Sequence, residues 1–223
     1  MKNLLIICLC LVMSVCATSQ HELKLSAGPT SSFDSEFGNI FDQIMLGFDS
    51  TAIDYSTSNR IGIDIRTSYS YYIKYNLKIS ANLSYQQFGY NSMESYDFGS
   101  GFYQNQQYTE ATRKIDLIGF GSSVTYITDY DVSFTIGGIS LLPINDVLQV
   151  SGSVYYPNNL SEGFYIDELT TYETPSTFAT YIGVGYEFGD LTFDVIYTPS
   201  LDTYPGMSAT SFLIGYSHLI INQ

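Results

Sequence analysis

Cysteine occurs at positions 8, 10 and 16 of this 223-residue chain and nowhere else. That confinement excludes a disulfide framework, thiol catalysis and a thiolate metal site from everything that follows residue 16. Charge is also scarce, at 13% of residues, about half of what a soluble domain carries. Basic residues are the scarcer sign: 8 Lys and Arg stand against 22 Asp and Glu. A chain this acidic repels phosphate backbones, which excludes nucleic acid as a partner. Only His21 and His218 could serve as histidine bases, and the strand topology implied by the alternating segments places both at one rim, on the turn side, so neither a Ser-His-acid nor an acid-His constellation is readily built on the opposite face. These absences point to a protein that is not an enzyme and that needs no cofactor and no metal. Tryptophan is absent too, and the aromatic content rests on 21 Tyr and 14 Phe.

No apolar run is long enough to cross a bilayer as a helix. The longest, Leu4 to Cys16, follows Lys2 and precedes Ala17-Thr18-Ser19, the pattern of a cleavable secretory signal. A lipid-modified Cys16 is disfavoured because Val15 is bulky where that processing wants a small residue. The reading is a signal peptide at 1–19 and one domain at 20–223, with no linker. Without Lys2, 7 basic residues face 22 acidic ones, a net charge of -15.

What the sequence has in abundance is alternation. From Ile61 to Ile73 the odd positions are Ile61, Ile63, Ile65, Thr67, Tyr69, Tyr71 and Ile73, while the even ones include Asp64 and Arg66. Leu77, Ile79, Ala81, Leu83 and Tyr85 then alternate with Lys78, Ser80, Asn82 and Ser84. This is the two-residue period of strands. Further alternating segments lie at 23–27, 118–126, 132–136, 148–156, 178–188, 191–197 and 212–220, and a weaker one at 164–172. The total is ten strands, with eight as the alternative even number. "KYN", "TDYD" and "GD" are tight connections, whereas 29–60, 89–112, 157–176 and 199–209 are long and polar. Short turns at one end and long loops at the other are the pattern of an up-and-down membrane barrel.

Parity assigns the faces. The apolar face of these segments carries no Asp, Glu, Lys or Arg, and His218 is its one ionisable group besides tyrosine. The other face collects Glu22, Lys24, Asp64, Arg66, Lys78, Glu187 and Asp194, which predicts a charge network filling a narrow lumen. Segments of nine to thirteen residues match a tilted membrane strand, and Tyr71, Tyr126, Tyr156, Tyr186 and Phe188 at the turn side, with Tyr85 and Tyr197 at the loop side, suit two aromatic girdles.

On these features the chain resembles the small bacterial outer-membrane β-barrel proteins, the porin-like and OmpA-like transmembrane kind. The resemblance implies a closed antiparallel barrel in a Gram-negative outer membrane, surrounded by lipid and lipopolysaccharide, inserted by the barrel-assembly machinery, with both termini periplasmic. The last strand ends in Ile221-Asn222-Gln223, where such proteins usually carry a terminal aromatic.

One segment breaks the pattern. "FDSEFGNIFDQIMLGF" places Phe37, Ile40, Phe41, Ile44, Met45 and Phe48 at helical spacing and predicts an amphipathic helix in the first external loop. "GFGSSV" at 119–124 is better explained by packing room than by a phosphate loop, since no helix follows. Asp129 and Asp131 fit a hydrated turn rather than a calcium loop. The expected function is a structural or surface-recognition barrel acting through acidic, Tyr-rich loops. A narrow porin-like diffusion channel is the alternative, and a soluble exported β-sandwich or lipocalin-like binder is a second one, because alternation alone does not name the solvent.

Overall fold

A computed structural model describes residues 20–34, 53–98, 105–155, 162–199, 201 and 207–221. All described regular structure is β: β1 Gln20–Asp34, β2 Ile53–Lys74, β3 Leu77–Phe98, β4 Asn105–Ile127, β5 Val132–Tyr155, β6 Glu162–Thr171, β7 Thr177–Phe188, β8 Leu191–Thr198 and β9 Met207–Ile221. Each pairs antiparallel with its neighbours, and the pairings β1–β9 and β4–β5 close the sheet into a ring.

The ring has eight positions, because β5 is long enough to pair with two strands in succession. Val132–Leu141 pair with β7, and Val147–Tyr155 pair with β6. β6 and β7 therefore lie in line on the same side of β5, interrupted at residues 172–176. This replaces the expectation of ten strands. The segments 132–136 and 148–156 read as two because Gly137, Gly138 and Pro143 between them look like punctuation. In the fold those residues keep one strand running. A side chain at Gly137 would strike the Tyr181 ring, and one at Gly138 the ring of Phe178. Pro143 sits opposite Leu117 where the β4–β5 register shifts, a bulge at which a missing N–H is tolerated.

The long connections are also mostly strand. β2 and β3 pair as far as Ile53 with Tyr96, and β3 and β4 as far as Phe98 with Asn105. Of the spans read as loops, 89–98 and 105–112 are these extensions, as are 53–60, while 29–34 belong to β1. Their apolar period fades because neither face there is committed to one solvent, while backbone pairing needs no apolar side chain. β5 runs from Val132, beside the Thr128–Asp131 turn, to Tyr155 at the far end, and Tyr156, placed at the turn side by sequence, lies outside the described residues. The predicted helix lies outside the described residues, as do Phe37, Ile40, Phe41, Ile44, Met45 and Phe48, and so does the 1–19 segment. Phe33 and Asp34 end β1.

The seam between the terminal strands has one local device. Ala27 pairs with Ile214 and Thr30 with Ser211, but the two pairs between them are missing. Pro29 has no N–H to give Phe212, which accounts for both. Gly28 lets the β9 backbone close in, since a Cβ there would collide with the Phe212 carbonyl. Gly28→Val is expected to prevent closure of β1 on β9, read as loss of the compact, fast-migrating band of the refolded, unheated protein.

Candidate functional site

The two faces of the ring separate by chemistry. Outward-facing Leu25, Ile63, Tyr69, Ile79, Leu83, Phe120, Ile136, Ile182, Phe193 and Ile214 form a belt around the ring, with Ile136 64% and Ile214 61% exposed. Among the described residues, no Asp, Glu, Lys or Arg occurs on it between the turns and Asp116. A belt of this extent cannot face water in a monomer, where apolar patches stop at a few hundred Å². His21, which sequence left at the rim, stacks on Tyr69 at 5.5 Å with its Nδ1 2.7 Å from the Tyr69 hydroxyl, part of the aromatic border at the turn end. His218 is exposed near the same end. Backbone groups are satisfied around the ring by ladder pairing, and that closed pairing plus an apolar outer wall is the one β solution for crossing a bilayer.

The fold is that of a small outer-membrane β-barrel. No protein-family model and no curated protein matches the chain. Among solved structures it is similar to Ail, the attachment invasion locus protein of Yersinia pestis, at 8% identity and TM-score 0.42, covering 91% of this chain and 99% of that one. It is similar to Neisserial surface protein A at 11% identity and TM-score 0.37, covering 88% and 95%. An outer membrane channel from Pseudomonas putida F1 matches at 6% identity and TM-score 0.24, covering 91% and 96%.

Inside the barrel, the seven charged residues picked out by parity all face the lumen and meet in three groups. Nearest the turns, Lys78 Nζ donates to Glu22 Oε2 and to Glu187 Oε1, each at 3.0 Å, and the Tyr72 hydroxyl donates to Glu22. Next, Lys24 Nζ donates to Asp194 Oδ2 at 2.6 Å. Deeper still, Arg66 grips Asp64 through Nε at 3.0 Å and Nη2 at 2.8 Å, and its guanidinium lies 5.2 Å from the centre of the Tyr181 ring. Ser211 Oγ donates to the same Asp64 carboxylate at 2.7 Å. The residues converge because even positions of β1, β2 and β3 share the inner face with Glu187 of β7 and Asp194 of β8. A buried cation stays charged in such a place only if carboxylates and hydroxyls replace its water.

Beyond Arg66 the lumen changes character. Phe88, Ile115, Leu117, Ile139, Leu141, Ala179, Ile196, Leu201, Met207, Ala209 and Leu213 are buried together as an apolar plug. Alternation hid it, since these side chains occupy the face that carries charge nearer the turns. Gly119 belongs here: a Cβ would meet Ile139, Leu141 and Ser84, so "GFGSSV" is packing room.

Two further polar groups escaped sequence reading because they lie outside the segments read as alternating, and Asp146 also follows a bulge on β5 that resets its parity. Arg113 forks onto Asp146 at 2.8 and 2.9 Å, with the Thr174 hydroxyl also donating to Asp146 and Tyr172 under the guanidinium. These contacts hold the interruption between β6 and β7 against β5. On the outer wall, Asp116 accepts from Gln87, Asn145 and Lys114, at 3.0, 3.0 and 3.3 Å. This cluster is where the apolar belt ends.

Proposed function

We propose that the protein is an exported, non-enzymatic outer-membrane barrel with a closed lumen, serving as a structural or surface-recognition protein. The observation that carries this reading is the asymmetry of strand length. Past the belt, β2 to β6 continue as a sheet, while β1, β7, β8 and β9 do not accompany them. Among the described residues, β2 before Arg60 pairs with β3 alone, and β6 pairs with β5 alone. The projecting hairpin and edge strand contain "NSMESYDFGSGFYQNQQYTEATRK" and "SEGFYIDELTTYETPS", whose acids, amides and tyrosines suit adaptable contact. Export through a signal at 1–19, a single domain at 20–223, and surroundings of lipid and lipopolysaccharide belong to the same reading.

The lumen pairs favour a plug over an open channel, since Lys24, Arg66, Lys78 and Arg113 each have a carboxylate partner. Replacing residues 92–111 with Asn-Gly closes the β3–β4 hairpin where Asn91 faces Thr112 and leaves the belt intact. The variant is expected to fractionate with outer membrane and keep its heat-dependent gel shift, while cell adhesion or phage sensitivity falls at least tenfold. Adhesion, phage sensitivity and ligand uptake that all stay at wild-type level would remove the recognition role.

A further inference from the structure

The lumen holds two media in series. Toward the turns is a cavity of about 60 Å³, walled by Lys24, Ser26, Arg66, Ser80, Ser133 and Glu187 among others. That is room for several waters, with polar partners on every side. The most exposed of its charged side chains is Glu187, at 23%, in the group nearest the turns; Lys24 and Asp194 are 15% exposed, Lys78 6%, Glu22 4% and Asp64 0%. Glu187 marks the turn end as the side from which water enters. Opposite Arg66 and Asp64 on β3, Ser84 Oγ and Gln86 Nε2 are buried without a protein partner, which marks the height that water must reach. Immediately beyond come Leu117 and Leu141, both 0% exposed, with Ile115, Met207 and Leu201 no more than 1% exposed. The Arg113–Asp146 pair flanks this layer, with Asp146 opposite Ile115 in the β4–β5 ladder.

We infer that the barrel is a latent cation pathway: a vestibule open to the turn side that admits water and small monovalent cations, closed by the apolar layer rather than by its ion pairs. This rests on the membrane-barrel reading above. Hydrophobic constrictions stop ions by excluding the water that must accompany them. The ion pairs line the wet half, where losing one alters charge without opening a route. In the turn-side half three cations, Lys24, Arg66 and Lys78, stand against four carboxylates, Glu22, Asp64, Glu187 and Asp194, so the net charge of -1 there favours cations.

The test is planar-bilayer recording of the refolded chain in KCl. Wild type and Arg66→Ala are expected to be silent, and Leu117→Ser/Leu141→Ser to show unitary steps with potassium favoured over chloride. Steps from Arg66→Ala alone, or silence from a Leu117→Ser/Leu141→Ser barrel that keeps its gel shift, would overturn the assignment. Should that variant fail to fold, labelling decides, because no cysteine follows residue 16. Ser133→Cys in the vestibule is expected to react with a small cationic methanethiosulfonate at least tenfold faster than Ala179→Cys in the layer. Equal rates would overturn the dry layer. A wild-type chain with no gel shift and no membrane association would instead retire the barrel reading, with the gate falling as a consequence.

Discussion

Asp64→Ala is expected to lower the unfolding free energy of the barrel by about 3–5 kcal/mol, the usual cost of removing one partner from a buried ion pair. The Asp64 side chain is 0% exposed and that of Arg66 6%. Deleting the carboxylate strands the guanidinium beside Tyr181 without the acceptor of its two donated hydrogen bonds, and leaves Ser211 Oγ without its 2.7 Å acceptor. The comparison that separates this cause from simple cavity formation is Asp64→Leu/Arg66→Leu. Removing both charges together takes away the desolvation cost along with the attraction, and is expected to be near neutral. Urea titration of the barrel refolded into lipid vesicles reads both. A double variant as weak as Asp64→Ala would locate the loss in packing instead of charge.

Ile182→Arg should separate a lipid-facing wall from a water-facing one. Ile182 lies midway along β7, 55% exposed on the outer wall, between Tyr186 toward the turn and Phe178 toward the far end. At mid-bilayer depth on a barrel wall an arginine costs about 2–4 kcal/mol. The same change on a sheet face bathed in water falls within about 0.5 kcal/mol. Vesicle-refolded protein is expected to show the larger loss, with a matching fall in the fraction that inserts. A loss below about 0.5 kcal/mol would favour the soluble β-sandwich or lipocalin-like alternative.

Particular residues show how far the sequence reached. Ile61, Ile63 and Ile65 face outward and Asp64 and Arg66 inward, as their parity requires, because a pleated strand leaves adjacent side chains no choice but opposite faces. The seven charged lumen residues were legible for the same reason. Their partners were not: nothing in "LTFDV" says that Asp194 meets Lys24, which is 170 positions away, since that pairing needs both the β1–β9–β8 order and its register. Arg113 was missed because it precedes the segment read as alternating, and Asp146 because a bulge on β5 resets parity without a signal that alternation can register. Strand count failed at Gly137, Gly138 and Pro143, where punctuation residues serve close packing and a bulge within a continuous strand.

The sequence by itself determined the period, the faces and the solvent each face demands: apolar without formal charge outside, charged and polar inside. These follow from side-chain chemistry and two-residue geometry, which are local. Ring closure decided the rest. It set eight positions around the barrel, brought Lys24 to Asp194 and Lys78 to Glu22 and Glu187, and divided one inner face into a wet half and a dry half. Those are properties of strand order and stagger, which couple residues far apart in the chain and exist only once β1 has met β9.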